Sequence, residues 1–390
     1  MKIAIIGSRH VLSGYSGIER GLAQMLPHLA ELGHKITVFG GPPVGSRQAG
    51  RERWNGIDMV HIPGLAGKHT ESISRSASAV FKTLKEGFDI VHYQHLGPSV
   101  FAPVNRIAGQ ATVVTVAGLD WQRAKWNRAA SKAIHTAERI AVRSANAIVV
   151  LSRDLQTYFD ETYDRETFRI PNGINPKPAP TCSAQLAQFN LKAGQYVLFA
   201  ARLVPEKACH DLIRAWNAIQ TDKKLVIAGS PGYALDYGES LKALARKDNV
   251  VFTGHVSGDA LDQLFAHARL FVLPSYLEGL SLSLLEAIGY GRAVLVSNIP
   301  ENLEAVGECG VVFKVGDVTD LRHQLERLID DDGAIADLQR MTRAKIDAMP
   351  SWEDVARRHD ELYLSLLPSS SSLGLNRRPK VIRRRLKESE

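Results

Sequence analysis

Arg202 and Lys207 stand five residues apart in the run YVLFAARLVPEK, and Glu278 and Glu286 stand eight apart in LEGLSLSLLEAIGYG. The apolar YVLFAA reads as a buried strand that gives way to a turn, which brings both cations out at a strand's carboxyl end. In open parallel sheets that edge is where ligands bind. Two fixed cations there can neutralise a diphosphate, and a carboxylate can accept hydrogen bonds from ribose hydroxyls. The later run LFVLPSYLEGLSLSLLEAIGYGRAVLVS repeats the unit of strand, loop, helix and strand, with the helix predicted to begin near Ser281. A helix amino end offers backbone N–H groups and the positive end of a dipole to a phosphate. An isolated Arg and Lys in a loop is ordinarily solvated surface, as is a Glu at either end of a short apolar helix. The order and strand context of all four residues carry the reading toward nucleotide-sugar binding.

Taken together, these residues resemble the retaining glycosyltransferases of family 4, the glycosyl transferases group 1, of the kind that assembles bacterial surface polysaccharide. The resemblance runs over residues 1 to 366 and includes SGYSGIERGLAQMLPHLAELGHKITVF, DIVHYQHLGPSVF, GLDWQRAKW, IPNGI and IPENLEAVGECGVVF. It implies an α/β chain of the GT-B fold, with two Rossmann-like parallel-sheet domains facing a central cleft. It also implies that Arg202 and Lys207 hold the donor diphosphate, that Glu286 binds the ribose, and that Glu278 lies beside the donor sugar. Gly279, Leu280 and Ser281 belong to the same donor-binding loop.

On the opposite wall, the loop SRHVLSGYSGIER puts Gly14 and Gly17 where backbone must come close to a bound group, an approach that a missing side chain permits. Glu19 and Arg20 follow, either facing outward or turned toward the acceptor. A second acceptor-side candidate is GLDWQRAKW, where Asp120 follows the strand TVVTV. Many relatives carry a histidine beside the glycine of this loop, but here Ala117 precedes Gly118. Asp120 therefore becomes the best polar candidate for a catalytic contact, against a purely structural cap. Ala208 is a second departure, standing after Lys207 where relatives often have glycine.

Strand-like apolar runs alternate with helix-like stretches up to about residue 350, the pattern of parallel α/β sheets. The first half holds KIAIIG, KITVF, DIVHY, TVVTV and AIVVLS; the second holds YVLFAA, KLVIAG, NVVFTG, LFVLP, AVLVS and GVVF. A helix from Gly17 to about Gly33 carries Pro27, which should kink it. The linker PNGINPKPAPTCSAQ, rich in Pro and Asn, marks the hinge. These signals divide the chain into an acceptor-side domain, 1–172, a donor domain, 173–350, a helix crossing back to the first domain, 351–367, and a basic tail without fixed structure, 368–390. The crossing helix presents Trp352, Val355, His359, Leu362, Tyr363 and Leu366 along one side.

A chain of 390 residues with 45% hydrophobic and 23% charged residues suits two soluble domains. No apolar run approaches the ~20 residues of a membrane helix, and MKIAIIG reads as a first strand instead of an export signal. Cys182, Cys209 and Cys309 lack a CxxC pair and suit a reducing cytoplasm. His92 and His95 have no acidic partner at ligand spacing, so no metal site is expected, and no cofactor beyond the nucleotide-sugar co-substrate. The net charge of +7 is concentrated: GLNRRPKVIRRRLKESE, residues 374–390, holds seven basic residues against two Glu, or +5, leaving +2 for the body. Nucleic-acid binding would need basic residues spread over a folded face. The tail instead suits an anionic membrane surface, and with it peripheral contact at the inner face of the membrane.

Without a convincing pair of metal-binding aspartates, the expected chemistry is metal-independent, retaining transfer of a sugar to a saccharide or lipid-linked acceptor. Two other readings stay open. An epimerase of the same fold would bind the same donor but needs acid and base groups flanking the sugar's second carbon. A non-catalytic nucleotide-sugar-binding partner is supported only by Ala117.

Overall fold

A computed structural model describes residues 1–13, 16–42, 48–65, 70–122, 126–177, 180, 182–232 and 234–367. Gly14 and the 368–390 tail lie outside them. The first sheet contains β1 (Lys2–Ile6), β2 (Lys35–Gly40), β3 (Gly50–Trp54), β4 (Ile57–His61), β5 (Ile90–Tyr93), β6 (Ala111–Val116), β7 (Ala147–Val150) and β8 (Phe168–Arg169). The second contains β9 (Tyr196–Ala200), β10 (Lys224–Ala228), β11 (Val250–Gly254), β12 (Leu270–Leu273), β13 (Ala293–Ser297) and β14 (Val311–Phe313). Their orders are β3-β4-β2-β1-β5-β6-β7-β8 and β11-β10-β9-β12-β13-β14. All pairings are parallel except β3 with β4, a hairpin at the edge of the first sheet.

The continuous apolar runs form strands buried on both faces, as parallel sheets require. In β1, Ile3 and Ile5 enter one core cluster while Ala4 and Ile6 enter another. In β9, Leu198 and Ala200 face one side while Val197 and Phe199 face the other. The hairpin is the exception. GRERW in β3 is charged and almost wholly exposed, and its antiparallel partner β4 shields the remainder of the sheet.

Helix Gly17–Glu31 follows β1 and runs through Pro27. It is started by a reciprocal cap: Ser16 Oγ accepts from Glu19 N, and Glu19 accepts from Ser16 N. The last helix, Trp352–Leu366, packs on that helix and places Trp352, Val355, Ala356, Leu362 and Tyr363 in the core of the first sheet. Its start is pinned where the chain passes between domains, with Ile174 N donating to Pro350 O at 2.9 Å. A Cβ on Gly173 would lie 2.7 Å from Trp352 N, so only glycine allows the approach. Truncating the buried Trp352 to Ala should cost about 3–5 kcal/mol. Glu304 adds a second tie between domains, accepting from Arg153 N at 2.8 Å and Arg169 Nη1 at 3.0 Å. Among the described residues, no helix is long and apolar enough to cross a membrane.

Candidate functional site

Each sheet starts in its middle. The first strand of the first sheet, β1, lies between β2 and β5, and the first strand of the second, β9, lies between β10 and β12. The chain therefore leaves β1 and β5, or β9 and β12, in opposite directions, and a crevice opens beyond their carboxyl ends. Both crevices line one cleft of about 950 Å³ between the domains. Arg202 and Lys207 come from the segment after β9, and Glu278 through Ser281 from the segment after β12, so neighbouring strands deliver the two halves of the motif.

Several local interactions fix this wall. Tyr276 N donates to Glu206 O at 2.9 Å, joining the loop after β12 to the turn Pro205–Lys207. That joint sets Lys207 Nζ against Glu278 Oε1, whose position is also held by Ser275 Oγ, donating at 2.7 Å. Glu278 is buried, and the lysine offsets the cost of burying its charge. Helix Leu282–Gly289 begins at Ser281, whose hydroxyl accepts from Leu284 N at 3.4 Å. The amino end of this helix opens on the cleft, with Ser281, Leu282 and Ser283 in its lining. At Gly279 a Cβ would lie 1.7 Å from Ala117 O, so a side chain there would drive the two domains apart.

The first domain meets this wall through Arg20, whose Nη2 donates to Glu286 Oε1 across the cleft. Burial pulls the Arg20 guanidinium below the usual arginine value, and Asp262 partly restores it. Glu286 Oε2 is buried and has no hydrogen-bond partner among the described residues. Glu206 Oε1 and Gln94 Nε2 share that condition, and all three residues line the cleft. Buried polar atoms are nearly always paired, so two acceptors and a donor left open in one cavity mark a place for a polar ligand.

Gly17, Asp120, Arg202, Lys207, Glu278, Gly279, Leu280, Ser281 and Glu286 all line this one cleft. Gly14 lies outside the described residues. Asp120 opens the short turn Asp120–Gln122 and is half-buried. The structure resolves Glu19 and Arg20 differently from each other. Glu19 turns inward, caps its own helix and accepts from His10 N at 3.2 Å, whereas Arg20 enters the cleft. His92 is fully buried, bonded to Tyr363 Oη and Thr115 Oγ1 at 2.7 Å each. Gln94 and His95 belong to the cleft and were not selected from the sequence. The signal was there: both directly follow β5 at its carboxyl end.

Residues 15–177 match the family model described as Glycosyltransferase Family 4, and residues 194–331 match that of Glycosyl transferases group 1. An uncharacterized glycosyltransferase of Methanocaldococcus jannaschii is 25% identical over 389 residues, spanning 93% of this chain and 98% of that protein. The O-antigen chain mannosyltransferase B of Escherichia coli is 30% identical over 186 residues, 46% of this chain and 48% of the relative. Among solved structures, sucrose-phosphate synthase from Thermosynechococcus elongatus superposes with a TM-score of 0.80 at 20% identity, covering 94% of this chain and 99% of that one. Anabaena HepE in complex with UDP and glucose gives a TM-score of 0.76 at 20% identity, covering 94% and 100%. These likenesses identify the two-domain architecture as GT-B.

Proposed function

Since the chain belongs to the family 4, group 1 glycosyltransferases, we propose that it moves a sugar from a nucleotide-diphosphate sugar to a hydroxyl acceptor, with retention and without a metal ion. The observation that carries the reading is the pairing of Arg202 and Lys207 with Glu278 and Glu286 beyond adjacent strands, beside the open acceptor Glu286 Oε2. The ribose hydroxyls donate to Glu286, and the diphosphate lies against Arg202, Lys207 and the amino end of helix Leu282–Gly289. As the bond between the anomeric carbon and the phosphate oxygen breaks, negative charge grows on the leaving group, and these fixed positive groups stabilise it. The acceptor oxygen bonds to the same face of the anomeric carbon, and its proton passes to the departing phosphate oxygen. Glu278, held by Ser275 and Lys207, contacts the donor sugar. Asp120 supplies the polar contact that Ala117 lacks.

A saccharide or lipid-linked acceptor is supported by likeness to an O-antigen mannosyltransferase. The +5 segment 374–390 supports peripheral contact with anionic membrane, each basic residue near such a surface contributing on the order of 1 kcal/mol. Deleting 374–390 should release the protein from phosphatidylserine vesicles in a sedimentation assay; equal sedimentation of the shortened chain refutes the contact.

The function itself is tested by offering a panel of nucleotide sugars with and without saccharide acceptors. Slow release of nucleoside diphosphate that quickens with an acceptor is expected, and it should survive excess chelator. An isomerised nucleotide sugar would identify an epimerase, and binding with no product would identify a non-catalytic partner. Activity lost to chelator and restored by Mg²⁺ would refute metal independence.

A further inference from the structure

His10, Glu52 and His61 come from the loop after β1, from β3 and from the end of β4, and none of them lines the cleft. Their ligand atoms nevertheless lie within 4.8 Å of one another. The hairpin register explains half of this. Gly50 pairs with His61 and Glu52 with Met59, so Glu52 and His61 are diagonal neighbours on one face. The other half comes from the loop, which Gly41 N–H fastens by donating to Arg9 O, while His10 N donates to Glu19 Oε1 at 3.2 Å.

The hydrogen bonding is incomplete in an informative way. His61 Nδ1 lies 3.0 Å from Gly41 O, and a carbonyl only accepts, so Nδ1 carries the proton. In the neutral ring, Nε2 then presents its lone pair to Glu52 Oε1 at 3.1 Å, acceptor against acceptor. His10 Nε2 stands 3.6 Å from the same oxygen, buried and with no hydrogen-bond partner among the described residues. With the His10 proton on Nδ1, as on His61, three lone-pair atoms surround one point and need a positive charge between them. An imidazole whose Nδ1–H is held by a backbone carbonyl is also the usual supporting arrangement of a metal-ligating histidine.

We propose that His10, Glu52 and His61 bind a divalent transition-metal ion of the zinc class through His10 Nε2, Glu52 Oε1 and His61 Nε2. Tetrahedral bonds to such an ion separate its ligand atoms by about 3.3 Å, and the distances of 3.1 and 3.6 Å bracket that value. Two imidazoles with one carboxylate favour zinc, cobalt or nickel over magnesium or calcium. The imidazole rings lie 5.3 Å apart at 15°, so the His10 ring turns about its Cβ–Cγ bond to direct its lone pair at the ion. Glu52 is 41% exposed at its side chain, which leaves a route in from solvent. The bound ion would clamp the loop after β1, the loop leading to Gly17 and Arg20, to the edge hairpin.

The test is titration of the purified full-length chain with Co²⁺ at about pH 7.5, where cobalt's visible absorption reports its ligands. One equivalent should bind with a tetrahedral visible band, compete with Zn²⁺, and slow amide exchange in residues 8–13 and 50–54. His61→Ala should weaken binding by at least about a hundredfold. Glu52→Gln, on an exposed edge strand where folding is least at risk, should weaken it by tenfold or more. No band, or equal binding by both variants, overturns the proposal and leaves the cluster to protons. Assaying sugar transfer in Glu52→Gln with chelator separates this ion from one at the diphosphate, since only the latter would still matter there.

Discussion

The two walls of the cleft come from the same arrangement, a parallel sheet that starts in its middle, yet they hold polar groups in different ways. The wall of the second sheet concentrates its charge: two short segments, 202–207 and 278–286, supply two cations and three carboxylates, and a backbone bond between Tyr276 and Glu206 locks the segments together. The wall of the first sheet distributes its polar groups, taking Arg20 from the helix after β1, Gln94 and His95 from the segment after β5, and Asp120 from the segment after β6. In the proposed reaction, a concentrated array suits the diphosphate of the donor. A distributed one can change residue by residue to suit different acceptors.

That contrast breaks most decisively if the cations of the second wall are only anchors. If, as proposed, Arg202 and Lys207 meet charge that grows as the donor bond breaks, Arg202→Ala and Lys207→Ala should each lower kcat by about 10² or more. Interactions that strengthen in the transition state register in kcat, whereas uniform ones register in KM. A Lys207→Ala enzyme with raised KM and normal kcat would remove its leaving-group role. Glu286 makes the opposite prediction. In the proposed reaction it holds the ribose throughout, so Glu286→Ala should raise KM or the donor Kd by roughly tenfold to a hundredfold, the equivalent of a charge-assisted hydrogen bond of ~1.5–3 kcal/mol. An Arg20→Ala comparison by donor calorimetry sharpens this, because Arg20 occupies Glu286 Oε1 from the other wall.

The same contrast explains what was legible from sequence. Strands buried on both faces announce themselves as unbroken apolar runs, and the charge-bearing wall places its motif inside two such units. Strand β3 of the hairpin was missed because GRERW lies at the sheet's edge, where exposure removes the apolar signal, although Asn55-Gly56, both at positive φ between the strands, carried the turn signal. Its consequence, the meeting of His10, Glu52 and His61, depends on register and loop path and not on spacing in the chain. Glu19 and Arg20 are adjacent yet point to different tasks, one capping a helix and the other crossing a cleft. Helix phase decides between them, and only the neighbouring segments fix that phase.

The first wall also depends on the last helix, which brings His359 beside His92 in a fully buried pair of rings 5.7 Å apart. Burial pulls His359 down to about 4 and His92 well below its ordinary value, with His359 adding to the latter shift. Both pKa values are lower folded than unfolded, so their contribution to stability is full above about pH 6.5 and is lost as pH falls toward 4. Each group that takes up its proton on unfolding steepens the loss by about 1.4 kcal/mol per pH unit. Urea melts at pH 7 and pH 5 should therefore show acid destabilisation that His359→Phe reduces. An unchanged pH slope in that variant would show that His359 does not carry the acid sensitivity.

The smallest effect bears on how the second wall holds Lys207. The residue after it, Ala208, adopts φ 50° and ψ 31°, the left-handed region, while its N–H donates to Pro205 O at 3.0 Å. An L-residue with a Cβ is strained there by roughly 1–2 kcal/mol, and glycine is not. The strain is offset by the surroundings: Ala208 is fully buried and starts helix Cys209–Ala218, whose Cys209, Leu212 and Ile213 enter the core of the second sheet. Ala208→Gly relieves the strain but adds freedom to the unfolded chain, which takes back part of the gain. The net expectation is a stabilisation of up to about 1 kcal/mol, read from the urea midpoint at constant slope. Destabilisation by the glycine would mean that packing around the Ala208 methyl outweighs the backbone strain, and the turn would then be held in place by its side chains.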